Sequence, residues 1–231
     1  MNDFVVVIPA RFASVRLPGK PLRQIAGKPM LQHVYERATE SGADQVIVAT
    51  DDARIADAAG AFGADVCMTS AEHRSGTERL AEVARLREWS PDRVVVNLQG
   101  DEPLMPPELI VQCAGLMAAD DAQIATLASE LESIEEFRNP NVVKVLIDRF
   151  DRAIYFSRAA IPYARSDSGS ELAMRCAMRH HGIYAYRVDI LQQFVRAAPS
   201  PLEDCEQLEQ LRALAIGLRI RVGRPTVRPG P

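Results

Sequence analysis

The chain has 231 residues, 47% hydrophobic and 25% charged, which is enough to bury a core without disulfide or metal staples. A formal net charge of −4 and a pI near 5.7 exclude the broad basic surface of a general nucleic-acid binder, so an anion site must be local. Cys67, Cys113, Cys176 and Cys205 are scattered without a Cys-x-x-Cys pair, and no run approaches about 18 apolar residues; free thiols in a reducing cytoplasm, without a membrane span, are expected.

Residues 4–8 form a run of five apolar residues, as a strand buried on both faces requires. The run leads into a loop carrying Arg11, Arg16 and Lys20, which Pro9, Pro18, Gly19 and Pro21 keep out of helical conformation. Two readings stand side by side: a phosphate loop at the carboxyl end of a first parallel strand, or a core strand with a solvated basic edge. A P-loop is disfavoured because Gly19-Lys20-Pro21 lacks the Ser/Thr that holds magnesium, and a dinucleotide fold because no Gly-x-Gly-x-x-Gly follows the strand.

Pro29 opens a helix in which Met30, Leu31, Val34, Tyr35 and Ala38 share a face until Gly42. A strand at 45–49 follows, then a helix capped by Asp51 or Asp52 with Ile55, Ala59 and Phe62 inward, ending at Gly63, then a strand at 65–68. This β-α-β-α-β order predicts a parallel sheet with right-handed crossovers. A polar loop at 69–77 precedes a helix over 78–89, a strand at 93–98 that ends in Gln99-Gly100-Asp101-Glu102-Pro103, a helix from Pro106-Pro107 to Met117, and a strand at 124–128.

Beyond Asn141 the pattern changes. Residues 142–147 and 153–156 read as a hairpin around Asp148-Arg149-Phe150-Asp151, and 161–177 has no clean periodicity, as a partner contact or lid would. A strand at 182–186 and helices at 188–197 and 202–216 follow, the last with Leu208, Leu211, Leu214 and Ala215 inward. The organisation expected is one domain over 1–222, with an excursion at about 148–180, and an atypical tail over 223–231, GRPTVRPGP, too rich in proline and arginine to pack.

Asp101 follows a buried strand and a glycine, which puts its carboxylate on the same rim as Arg11 and Lys20. Magnesium takes one or two protein carboxylates and completes its shell with phosphate oxygens and water, so Asp101 is a metal candidate; the plainer role is capping the turn before Pro103. Ser75 or Thr77 can cap the next helix with Glu78 in its first turn, and Arg79 would project near the rim. His180 and His181 precede a strand, where packing is the ordinary role, and Glu209 and Gln210 fall on an amphipathic helix, where exposure is ordinary.

The string Pro9-Ala10-Arg11-Phe12-Ala13-Ser14-Val15-Arg16-Leu17-Pro18-Gly19-Lys20-Pro21-Leu22 resembles the signature of the sugar-acid nucleotidyltransferase family. So do Val48-Ala49-Thr50-Asp51, Ser75-Gly76-Thr77-Glu78-Arg79, Asn97-Leu98-Gln99-Gly100-Asp101-Glu102-Pro103, Asn139-Pro140-Asn141 and the stretch from His180 to Arg187. Together they are similar to the branch of that family acting on 3-deoxy-manno-octulosonate (KDO), over nearly the whole chain to about Val222. The resemblance implies a Rossmann-like, mostly parallel sheet with helices on both faces, of the nucleotide-diphospho-sugar transferase type, plus a small antiparallel dimerisation excursion. It implies transfer of CMP from CTP to the anomeric hydroxyl of KDO, releasing pyrophosphate, for lipopolysaccharide biosynthesis, in a cytoplasmic homodimer using Mg2+. By the same resemblance Arg11 and Lys20 bind the triphosphate with Arg16 close by, Ala10, Ser75 and Arg79 face the nucleotide, and Gln99 lies near the reacting centre. Lys20, Gln99 and Asp101 are then the catalytic residues, Asp101 the metal ligand, and Arg158, His180, Tyr184, Glu209 and Gln210 surround the acceptor. Family members close with a Gly-Val-Asp-Thr-Pro-Glu-Asp motif whose first aspartate is a second metal ligand. Here GRPTVRPGP stands instead and no aspartate follows Asp204. The alternative expectations are a CTP-binding homologue with impaired catalysis, or a nucleotidyltransferase for another acceptor such as a sialic acid or methylerythritol phosphate.

Overall fold

The computed structural model describes residues 3–13, 17–119, 122–166 and 169–229. Strand β1 (Phe4–Ala10) is buried at every position and lies at the heart of the sheet. Val5 and Val7 face one core, and Phe4, Val6 and Ile8 the other, as the two-residue repeat of a strand requires. Each such fully buried side chain contributes about 1.5–3 kcal/mol, which is why this run takes a central position rather than an edge.

After a small antiparallel pair, β2 (Gln24–Ile25) with β3 (Lys28–Pro29), come α1 (Met30–Glu40), β4 (Gln45–Thr50), α2 (Ala53–Ala61), β5 (Asp65–Met68), α3 (Gly76–Leu86) and β6 (Val94–Asn97). β6, β1, β4 and β5 lie side by side, all parallel. The right-handed connections put α1 and α2 against one face and α3 against the other.

The second half contains α4 (Pro107–Gly115), β7 (Ile124–Glu130), α5 (Ile134–Arg138), β8 (Lys144–Ile147), β9 (Ala153–Ser157), α6 (Ser170–Cys176), β10 (Ala177–Arg187), α7 (Val188–Arg196), α8 (Pro201–Glu206), α9 (Gln210–Ala215) and β11 (Ile220–Gly223). β10 enters antiparallel between β6 and β7, and β11 pairs parallel with β7. The β8–β9 hairpin joins through β8 to the start of β10. Among the described residues no helix is long and apolar enough to cross a membrane.

Several elements depart from the sequence reading. His180 and His181 lie inside β10 rather than before it, because their ring nitrogens find Thr126 and Ser129 on β7 at 3.0 and 2.9 Å. A register shift between His181 and Tyr184 breaks the alternation around Gly182, which hides the first half of this strand. The helix expected over 202–216 is two helices, since Gln207 turns left-handed at φ 53° between α8 and α9. That break moves the inward phase, so Ala213 is buried and Ala215 exposed. Within 161–177, read as lacking a repeat, α6 packs Ala173 against Phe137 of α5. α5 itself was missed, although Ser133 accepts from the Glu136 N–H at 3.1 Å as a cap three residues before an acid should. The tail expected to stay unpacked is tied down as far as Arg228. Gln112 bonds the Arg224 carbonyl and the Thr226 N–H, and Arg228 reaches Glu132 at 2.9 Å.

Candidate active site

The loop after β1 is closed at its neck. Gly19 adopts φ 69° and donates its N–H to the Phe12 carbonyl at 2.9 Å. A side chain at Gly19 would begin 3.1 Å from the Phe12 ring, whose other contact is the Arg54 guanidinium, 3.4 Å from the ring centroid. Only glycine meets both demands cheaply. Lys20 therefore leaves the neck in a fixed direction, over the carboxyl ends of β1 and β6, and its Nζ lies 2.6 Å from Asp101 Oδ2. Arg16 lies outside the described residues.

Pro9, Ala10, Arg11, Lys20, Gln99 and Asp101 line an open cleft of about 260 Å3. Its two glycines are pressed against the strand end: a methyl on Gly100 would sit 2.9 Å from the Pro9 carbonyl oxygen, and one on Gly76 3.0 Å from the Pro9 ring. Gln99 donates its side-chain amide to Asn97 Oδ1 at 3.2 Å. The Lys20 and Asp101 side chains are 38% and 50% exposed, so their pairing holds the fold weakly and an entering anion can take Lys20 over. Burial and the charge of Asp101 push the neighbouring Glu102 carboxyl up. Among the described residues no three His, Cys, Asp or Glu side chains gather as a self-contained metal cage.

The opposite wall is the 69–77 loop. Arg11, expected to face a polyanion, donates to the carbonyls of His73, Arg74 and Ser75 and holds this wall against the strand end. Glu78 accepts from the Arg74 N–H at 2.6 Å; Glu82 accepts from the Ser70 N–H at 2.8 Å and meets His73 Nε2 at 2.6 Å. Ser75 is the cap of α3, accepting from the Glu78 N–H at 3.2 Å. Arg79 lies four residues before Val83 on the inner face of α3, which begins at Gly76 rather than 78, and is fully buried. It bonds the Thr69 hydroxyl and stands 3.3 Å from Asp51, beneath the cleft instead of on its rim.

Next to this wall a second group of polar side chains converges, most of them buried. Thr77 follows Gly76 and donates to Glu209 Oε2 at 2.6 Å, across 132 residues of chain. The other oxygen, Glu209 Oε1, is buried without a hydrogen-bond partner, and so is the Tyr184 hydroxyl. Burial raises the Glu209 carboxyl against opposing bonds from Thr77 and Ser75, and it raises the Tyr184 phenol well above its usual range. The His180 ring contacts Tyr184 at 5.3 Å and Phe156 at 5.2 Å between centroids. Gln210 opens α9 beside Glu209, half-buried. Glu209 and Gln210 are thus not on a solvated helix face; the Gln207 turn swings them inward.

Arg158 spends three of its N–H groups on main chain, at Glu206 O (2.9 Å), Pro140 O (3.2 Å) and Gln207 O (3.5 Å). An arginine carries five, so among the described residues one on each terminal nitrogen has no hydrogen-bond partner. Lys144, fully buried, donates to the carbonyls of Asn139, Val142 and Arg158 at 2.9, 2.5 and 2.5 Å. Glu206 accepts from Ser157 Oγ at 2.5 Å and the Arg158 N–H at 2.9 Å, completing the brace behind this group. Sequence reasoning passed over Thr77 as a member of the group and missed Lys144 and Glu206; the Asn139-Pro140-Asn141 turn was the nearest signal.

Burial holds His180 down to about 3 and His181 to about 4, the latter helped by Arg179. Both are neutral when folded at pH 7. As pH falls through about 6.5, the unfolded chain takes up protons on these histidines that the folded chain refuses, so stability falls with pH. Thermal melts at pH 7 and pH 5 should show the drop, and His180→Gln should lessen it; equal losses in both proteins would contradict the assignment.

The cytidylyltransferase family profile matches residues 5–220. A 3-deoxy-manno-octulosonate cytidylyltransferase of Yersinia enterocolitica is 55% identical over 222 residues, covering 95% of this chain and 89% of the relative. The Haemophilus influenzae protein of the same name is 52% identical over 226 residues, with 95% and 89% covered. A solved CMP:2-keto-3-deoxy-manno-octonic acid synthetase complexed with CTP superposes with a TM-score of 0.88 at 44% identity, covering 98% of this chain and 91% of that one. A cytidylyltransferase from Leptospira borgpetersenii, at TM-score 0.61 and 16% identity over 97% and 76% of the two chains, shares the fold.

Proposed function

The chain belongs to the cytidylyltransferase family, and from that premise we propose that it transfers CMP from CTP to KDO with release of pyrophosphate. The observation that carries this reading is the pair of buried, unpartnered polar atoms, Tyr184 Oη and Glu209 Oε1, beside a cleft lined by Lys20 and Asp101. A neutral phenol offers a proton and a carboxylate oxygen accepts one, which suits a polyhydroxylated acceptor. The two N–H groups left on Arg158 suit the carboxylate of a sugar acid.

In this reading the anomeric hydroxyl of KDO attacks the α-phosphorus and the bond to pyrophosphate breaks. Such a transfer needs positioning and charge neutralisation rather than a covalent catalyst. Lys20, freed from Asp101, neutralises phosphate oxygens. Gly76 and Gly100, pressed against Pro9, line the cleft that takes the nucleotide, and the Gln99 amide lies between nucleotide and acceptor. Asp101 fits magnesium: it is a half-exposed carboxylate in the cleft, with a second carboxyl next to it at Glu102, which burial first and the charge of Asp101 second push up. When bound there, the ion would polarise the α-phosphate and offset charge on the leaving group. His180, neutral, orients Tyr184 and carries no proton in the reaction.

The protein works as a cytoplasmic homodimer supplying an activated sugar for lipopolysaccharide. Support for the dimer is the apolar surface of the excursion, where Tyr163 is 89% and Leu172 67% exposed. The test is to incubate the protein with CTP, KDO and magnesium and follow pyrophosphate. Release that depends on KDO is expected, and none at any magnesium concentration would overturn the reading.

A further inference from the structure

We propose that Thr77 is a positioning residue for the acceptor: its hydroxyl holds Glu209 by Oε2 so that Oε1 stays free to meet the acceptor. Glu209 follows a left-handed turn, at the mouth of a short helix, where a glutamate has several rotamers open to it. The 2.6 Å donation from Thr77 to Oε2 selects among them, with the Ser75 hydroxyl as a second partner. Among the described residues Arg212 stands 3.9 Å from Oε1 and grips Glu203 at 2.8 and 2.5 Å, so it attracts the carboxylate without hydrogen-bonding that oxygen. Thr77 is itself buried and fixed in the first turn of α3, directly after the Gly76 that lines the cleft, and the Tyr186 hydroxyl also reaches it. The acceptor's carboxylate partner is thereby built onto the nucleotide wall, and the distance between the two substrates is set by one residue.

Without that hydroxyl, Glu209 Oε2 loses its 2.6 Å partner while Oε1 stays unpartnered, a state it relieves by turning toward Ser75 or Arg212 or by taking up a proton. Either way the acceptor loses the atom that receives its hydroxyl. Valine keeps the shape of threonine and serine keeps the hydroxyl, so the pair separates packing from positioning.

The inference rests on the KDO reading, and kinetics separates the two. Thr77→Val should raise the KM for KDO about tenfold, the scale of one hydrogen bond to a charged group, and change the KM for CTP by less than about twofold. Thr77→Ser should restore the KDO value to within about threefold. On a Glu209→Gln background Thr77→Val should add less than about twofold, because the route through Glu209 is already lost. A parallel rise in the CTP KM, failure of serine to rescue, or a full tenfold effect on the Glu209→Gln background would each overturn the role of Thr77. If the unsubstituted protein turns over CTP with another sugar acid but not KDO, the substrate reading falls, while the same split measured with that acid decides the role of Thr77. If it turns over none, both fall.

Discussion

Asp101→Asn is expected to lower kcat by about 100- to 1,000-fold, the range found when one group that stabilises developing charge is removed, while CTP still binds. The substitution keeps the shape of the side chain and leaves an amide oxygen for Lys20. The pair it alters is exposed on both sides, so its contribution to folding is at most about 1 kcal/mol and instability is no explanation for lost turnover. The rival role, a cap before Pro103, is already filled by main chain: the Glu102 N–H reaches the Gln99 carbonyl at 3.1 Å and the Met105 N–H reaches the Glu102 carbonyl at 3.3 Å. What the asparagine removes is charge. A carboxylate beside a triphosphate repels it unless a cation intervenes, so without magnesium the affinity for CTP should hold or rise in the variant. Calorimetry with CTP and a pyrophosphate assay measure the two effects separately, and equal losses of binding and turnover would assign Asp101 a structural part instead.

The parallel half of the fold was legible because its signals are local. The five-residue apolar run, the Asp52 cap and the glycines at 42 and 63 each act within one or two turns of chain, and each lies where the sequence reading put it. That Lys20 and Asp101 meet in one cleft was legible in the same way, from a loop at a strand end and an aspartate at the end of the neighbouring strand. The errors came where a local pattern is reset by a distant contact. Arg79 was placed on the rim although Leu80, Val83 and Ala84 had already fixed the inward face of α3, which a residue four before Val83 shares. Its charge argued for exposure, and its partners Asp51 and Thr69 lie on other elements. His180 and His181 hid the start of β10 because polar side chains on a strand look like loop until their partners on β7 are known. Glu209 was read as solvated because nothing local announces that Gln207 turns left-handed; that turn is held by Arg158 and Glu206, about fifty residues earlier and one residue before it.

Lys144→Met should cost about 3 kcal/mol of stability, or roughly 6–12 °C in Tm for a chain of this size. The side chain is fully enclosed, and all three of its N–H groups go to main-chain carbonyls, none to a carboxylate within ion-pair distance among the described residues. Two opposing quantities decide the outcome. Keeping an ammonium in the interior costs several kcal/mol, a penalty methionine would relieve. Three bonds from a charged donor return about 1.5–3 kcal/mol each, and their loss takes that partner from the Val142 and Arg158 carbonyls, while the Asn139 carbonyl keeps the Val142 N–H at 3.1 Å. Burial accordingly pulls the lysine pKa down, with Glu206 opposing. The balance favours the lysine because the carbonyls it gathers belong to the 139–142 turn and to Arg158, and Arg158 in turn bonds Pro140, Glu206 and Gln207. Loss of Lys144 should therefore be felt first in this brace: amide exchange should quicken at 141–142 and 158–159 before the parallel half of the sheet, and the KM for KDO should rise while the KM for CTP stays level. A methionine variant that melts at or above the parent temperature would mean that the buried charge costs as much as it holds, and that the brace stands on Arg158 and Glu206 alone.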